Sequence, residues 1–209
     1  MVRFDIITLF PRMFDSPLQE SILHKARQSG LISVGLHDLR DHTNDRHRTA
    51  DDTPYGGGAG MVLKIEPLVA AIETTRRKSG QTRVLLTSPQ GEKFTQATAC
   101  RLSAFDQIVI VCGRYEGFDE RVLDYIDEEV SLVDYVLTFC ELAAMVIVDA
   151  VSRQVPGVVG AEESVAGDSL ANGFLKYPQY TRPAEFRGTR VPDVLMSGDH
   201  KKIEQWRHK

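Results

Sequence analysis

Apolar residues gather into short β-rich runs at Phe4 to Leu9, Leu31 to Leu36, Arg83 to Leu86 and Gln107 to Val111, and stretches of helical periodicity separate them. Strands alternating with helices predict an α/β fold with a mostly parallel sheet. The first helix is signalled by Ser16 as N-cap, Pro17 at the first helical position and Gln19 three residues after the cap. Leu18, Ile22, Leu23 and Ala26 then follow, with Gly30 as a stop. A second helix is predicted from Pro67 to Lys78, closed by Gly80. A third, from Glu141 to Arg153, is apolar through Met145, Val146, Ile147 and Val148 and is expected to be buried.

After Arg153 the pattern breaks. VPGVVGAEESVAGDSLANGFLKYPQYTRP has little periodicity and many Gly, Ser and Pro residues, which reads as a linker. The segment from Ser197 opens like a helix and runs to Lys209 without a stop signal, so a small C-terminal domain that ends early is expected. The division that follows is a domain over 1–160, a linker over 161–176 and a partial domain over 177–209.

Charge sharpens this division. The formal net charge is −4, but eight Lys or Arg against four Asp or Glu fall between Lys176 and Lys209, so the acidic excess lies entirely upstream. A basic tail can meet phosphates, or it can simply be a solvated surface. Three cysteines at wide spacing, Cys100, Cys112 and Cys140, fit neither a disulfide framework nor a CxxC metal site. No apolar run reaches the ~18 residues a membrane helix needs, and the N-terminus lacks a signal peptide's cleavage region, so a cytoplasmic protein without a membrane partner is expected.

Two loops stand where ligands bind in parallel sheets, beyond the carboxyl ends of strands: TSPQG after the Arg83 run and CGRYEG after the Gln107 run. Ser88, Pro89, Gly91, Gly113 and Gly117 would allow close backbone approach, and Glu116 can accept a hydrogen bond. By themselves such loops are more often plain turns than sites. RHRTADDTPYGGGAGM, Arg46 to Met61, is glycine-rich, yet no GxxxxGK[ST] is present and no GxGxxG follows the first strand, which disfavours a nucleotide triphosphatase. Arg46, His47 and Arg48 beside Asp51 and Asp52 can hold a phosphate and a base edge together, or the segment can be a mobile solvated loop of mixed charge; its length and polarity favour the first. Asp168, in the linker, has no catalytic claim from spacing alone.

The strings ITLFP, DRHRT, DDTPYGGGAGM, LTSPQG, VCGRYEGFDER, DAVSR, PGVVG and YPQYTRP stand in an order and spacing that resembles the bacterial tRNA (guanine-N1)-methyltransferases, over nearly the whole chain. The resemblance implies the α/β-knot (SPOUT) methyltransferase fold with a deep trefoil knot, a homodimer, S-adenosylmethionine as methyl donor, tRNA as substrate and a magnesium ion. Carried over by position, the donor's site comprises Leu86, Ser88, Pro89, Gly113, Tyr115, Glu116, Ser131, Leu132, Val133, Tyr135, Leu137, Phe139 and Cys140. The tRNA site comprises Arg46, His47, Arg48, Asp52, Gly57 and Gly58. Asp168 matches the general base, drawn from the second subunit, and Arg153 its assisting arginine; no metal ligand is assigned.

One loop departs from the family. Where relatives typically read GDYVL[ST]GGEL, this chain reads VDYVLTFCEL, so three glycines have become Val133, Phe139 and Cys140. Side chains in place of ligand-lining glycines are expected to strain or fill the site. The alternative reading is therefore a cofactor-deficient tRNA-binding or scaffold variant of the same fold.

Overall fold

The computed structural model describes residues 1–160, 169–170 and 175–207. The chain divides into two compact units, Met1–Glu162 and Glu163–Lys209.

Within the first unit lies a five-stranded sheet in the order β2-β1-β6-β5-β7, formed by β1 (Val2–Thr8), β2 (Ile32–Asp38), β5 (Thr82–Lys93), β6 (Gln107–Cys112) and β7 (Glu128–Ser131). Every neighbouring pair in it is parallel. The architecture is α/β, as the alternation of runs predicts. Central β6 is buried along its whole length, which is why its sequence, QIVIVC, is a continuous apolar run rather than an alternation.

Successive side chains of these strands feed two cores. Phe4, Ile6, Leu85, Ile108 and Ile110 pack with residues of α1 (Ser21–Gln28), α3 (Gln96–Leu102) and α4 (Cys140–Ser152). Ile7, Val84, Leu86, Val109 and Val111 pack with Leu68, Ala71 and Ile72 of α2 (Ile65–Thr75). A two-stranded antiparallel ribbon, β3 (Asp51–Asp52) and β4 (Val62–Leu63), carries the glycine-rich loop between its strands.

The first helix differs from expectation. Ser16 takes helical angles and makes no side-chain cap, and Pro17–Gln19 is a separate 3-10 turn. Glu20 is then extended and α1 starts at Ser21, whose φ is +51°. The cap signal thus starts a turn that buries Leu18, and the chain reorients before the helix proper. The other helices begin and end within about three residues of expectation, the usual uncertainty of such boundaries. Strand β7 and helix α3 have no counterpart in the sequence reading.

One glycine explains how β5 and β7 meet. Their register shifts between Thr87 and Glu92. There Gly91 comes so close to β7 that an added Cβ would lie 2.3 Å from Val130 N and 2.4 Å from the Glu129 carbonyl carbon. Gly91 serves a close approach of the chain to itself.

A second buried feature ties β1, β2 and β6 together. Asp5 has no exposed surface, yet its carboxylate accepts from Arg3 at 2.6 and 2.8 Å and from Gln107 Nε2 at 2.6 Å, and pairs with His37 Nε2 at 2.8 Å. Gly35 leaves room for it, since a Cβ there would stand 2.4 Å from Asp5 Oδ1.

In the second unit, β8 (Glu185–Phe186) and β9 (Thr189–Arg190) form a hairpin, followed by α5 (Asp193–Met196) and α6 (His200–Arg207). Trp206 of α6 meets Tyr177 and Tyr180 at ring separations of 6.3 and 6.2 Å, and Arg207 lies over the Tyr177 ring. Among the described residues no helix is long and apolar enough to cross a membrane.

Candidate active site

A cavity of about 320 Å³ opens at the carboxyl end of β7, beside the register shift of β5 and the first turn of α4. Its wall is formed by Thr87 to Pro89 of β5, Val130 and Ser131 of β7, the loop Leu132 to Leu137, and Cys140 and Ala143 of α4. Most of this lining is apolar, with Thr87, Ser88, Ser131, Asp134 and the Tyr135 hydroxyl as polar points, the usual make-up of a small-molecule site.

The floor is built by hydrogen bonds between strand ends. Thr87 Oγ1 donates to Val111 O at 3.1 Å and accepts from Gly113 N at 3.4 Å. Gly113 fits this closeness: a Cβ would make a tight contact of 3.2 Å with Thr87 O and an ordinary one of 3.7 Å with Cys140 Sγ. The start of α4 is pinned to β1, since buried Thr8 Oγ1 donates to Glu141 Oε1 at 2.7 Å. Burial pushes the Cys140 thiol above its ordinary range, and Glu141 adds to that shift. Cys112, fully buried beneath, is pushed further the same way, whereas Cys100 is exposed on α3.

Of the donor-site residues expected from sequence, the structure brings Ser88, Pro89, Ser131, Leu132, Val133, Tyr135, Leu137 and Cys140 together around the cavity. Leu86 is buried on the opposite face, in the α2 core. Gly113 sits behind the wall. Tyr115, with φ +59°, is half exposed on the loop after β6. Glu116 turns to the glycine-rich loop, where a Cβ on Gly60 would stand 2.5 Å from Glu116 Cγ.

Phe139 is not among the lining residues. Its ring faces the Arg114 guanidinium at 4.5 Å and meets Phe10 edge-on at 6.5 Å. The expectation that this aromatic fills the site is corrected on that point: the Arg114 guanidinium and the Phe10 ring hold it away from the cavity. Thr87, Val130, Asp134, Val136 and Ala143 line the cavity and are not among the expected donor-site residues. Ala143 had a readable signal, because it lies one helical turn from Cys140.

The family model described as tRNA (Guanine-1)-methyltransferase TrmD matches residues 2–209. The chain belongs to this family. It is 58% identical over 209 residues to the tRNA (guanine-N(1)-)-methyltransferase of Citrifermentans bemidjiense, covering all of this chain and 84% of that protein. The protein of the same name from Geotalea uraniireducens is 57% identical, with 100% and 85% covered. That of Geobacter sulfurreducens is 54% identical over 207 residues, with 99% and 84% covered.

The residues expected to meet tRNA lie on and before the glycine-rich loop. Asp45 organises the segment, accepting from His47 N at 3.1 Å and Thr49 N at 2.9 Å. Arg48, at φ +55°, pairs with Asp41, and Asp52 accepts from Thr53 N at 2.7 Å. Gly57 and Gly58 have φ of +78° and +130°, which favours glycine. This loop is stitched to the loop after β6, since Glu116 N donates to Met61 O and Leu63 N to Gly117 O, both at 3.0 Å. Arg153 caps the carboxyl end of α4. Asp168 lies outside the described residues.

The second unit holds a cavity of its own, about 440 Å³, lined by Tyr177, Tyr180, Arg182, Trp206 and Arg207 among others. Among the described residues no group of three or more His, Cys, Asp or Glu side chains converges as a metal site would. The magnesium ion implied by the resemblance thus has no ligand cluster there.

Proposed function

We propose that this chain transfers the methyl group of S-adenosylmethionine to N1 of the guanosine immediately 3′ of the tRNA anticodon. The observation that carries the reading is the cavity at the carboxyl end of β7, beside the register shift of β5, in a chain of this family. The lining fits the methyl donor: Pro89, Leu132, Leu137 and Ala143 offer apolar surface to a flat base, and Ser88, Ser131 and Asp134 offer hydrogen-bonding groups to ribose hydroxyls and a cationic centre. When bound, S-adenosylmethionine supplies an electrophilic methyl on sulfur.

Guanine N1 carries a proton at neutral pH, and that proton must leave as the nitrogen attacks. Asp168 takes it in this reading, and Arg153 stabilises the charge that develops on O6. The length of α4 supports a homodimer. Cys140 of the cavity opens this 13-residue helix and Arg153 closes it, so the two stand about 20 Å apart at 1.5 Å per residue. That span is too long for Arg153 to serve its own protomer's cavity. Ile22, Leu142 and Val146 leave apolar surface exposed on α1 and α4, consistent with a second copy packing nearby.

The tRNA would meet the glycine-rich loop through Arg46, His47 and Arg48 and the basic second unit through Arg182 and Arg207, whose aromatic neighbours can stack on bases. A cytoplasmic location and the trefoil knot of the α/β-knot fold belong to the same reading.

Titration with S-adenosylmethionine, paired with an assay for N1-methylated guanosine in tRNA, tests it. Asp168→Asn is expected to abolish turnover while donor affinity stays within about twofold, because proton removal acts in the transition state. Absence of donor binding by the unmodified chain would favour the scaffold alternative.

A further inference from the structure

We propose that the Phe10–Arg114–Phe139 stack is a fastener that holds the loop after β7 in the shape that walls the cavity, making Phe139 a positioning residue for the methyl donor. The inference rests on the function proposed above. The Arg114 guanidinium lies 4.8 Å from the centre of the Phe10 ring and 4.5 Å from that of Phe139, so one cation serves two aromatic faces. Arg114 Nη1 also donates to Thr138 O at 2.6 Å, which fixes the loop's backbone one residue before the ring. Arg40 also lies 5.7 Å from the centre of the Phe10 ring and donates to Leu9 O at 2.6 Å, so Phe10 is itself held. Three segments distant in sequence, the chain after β1, the loop after β6 and the loop before α4, are thereby tied together.

The loop has need of such a tie. Tyr135 and Val136 at its middle are 68% and 96% exposed, so burial contributes little there. Its first half is pinned by Lys93 Nζ to Asp134 Oδ2 at 2.8 Å, but both side chains are mostly in solvent, where such pairs are weak. Phe139 is the N-cap of α4 and makes no side-chain cap hydrogen bond. Its contribution at that position is the ring contact. A glycine at 139 has no ring to offer Arg114, so in this chain the aromatic replacement serves the cavity instead of blocking it.

Two measurements on the full chain decide the matter. In amide hydrogen exchange, Phe139→Leu is expected to speed exchange over residues 132–139 about tenfold relative to the unmodified chain, and Phe139→Tyr to leave it unchanged. In calorimetric titration with S-adenosylmethionine, Phe139→Leu and Phe139→Gly are expected to bind about tenfold more weakly, with Phe139→Tyr within about twofold of the unmodified chain. Unchanged exchange in Phe139→Leu, or donor affinity in Phe139→Gly equal to or above that of the unmodified chain, overturns the proposal. If the unmodified chain takes up no donor, the functional reading falls, the donor-positioning role of Phe139 falls with it, and the exchange comparison still decides whether the fastener exists.

Discussion

Among single residues, Asp5 shows how a buried charge is kept. Its burial opposes ionisation, but hydrogen bonds from His37, Arg3 and Gln107, with the Arg3 charge, outweigh that and hold the carboxyl well below the usual carboxylate range. Because the folded-state value lies below the unfolded one, the associated stability is fully present above about pH 4 and is lost as pH falls from there towards the folded value. Asp5→Asn is expected to cost about 2 to 4 kcal/mol at neutral pH, since a buried network loses its anion. It should also flatten the acid limb of stability against pH, measured by denaturant unfolding between pH 2 and 7. An acid limb identical to that of the unmodified chain would show that other carboxylates govern it.

At the level of elements, the junction of β5 with β7 shapes the cavity, and Gly91 makes the junction possible. A methyl group at that position meets backbone on β7 that cannot rotate away. Gly91→Ala is expected to cost roughly 1 to 3 kcal/mol by overpacking, read as a lower melting temperature, and to weaken donor binding because Val130 and Ser131 move with β7. A melting temperature equal to the unmodified chain's would mean the strands can part cheaply. This glycine also marks how far sequence could be read. TSPQG suggested close backbone approach to a ligand, and the approach is real but is made to the chain's own strand. Strands β1, β6 and the first half of β5 are legible because burial on both faces makes them apolar runs, and edge strand β2 is legible from the alternation of Ile32, Val34 and Leu36 with Ser33, Gly35 and His37. Strand β7 is not, since Glu128 and Glu129 leave EEVS with a single apolar residue. Helix α3 escaped because Thr98 occupies the third position of its capping box, where Glu or Gln is the familiar signal. The loop 132–137 carries no readable chemistry of its own, and only the likeness to a family pointed there. In the sequence Phe139 has the look of an obstacle, because sequence names the residue but not the direction of its ring.

At the scale of the whole molecule, the proposed site is shared between copies, and mixing can test that. Asp168→Asn lacks the base but keeps its cavity, whereas Ala143→Trp keeps the base but fills the cavity. Each alone should be inactive. If both are unfolded and refolded together in equal amounts, random pairing should restore about a quarter of normal activity, because half the dimers are mixed and each mixed dimer has one complete site. No recovery would mean that base and cavity belong to the same protomer. The three thiols offer a different kind of reading, since they sit at three depths: Cys100 in solvent, Cys140 in the cavity wall and Cys112 buried at the end of central strand β6. An alkylating reagent therefore meets the molecule as a gauge of depth. Cys100 counts every molecule, Cys140 reports whether the cavity is occupied, and Cys112 is reached only when the sheet itself opens.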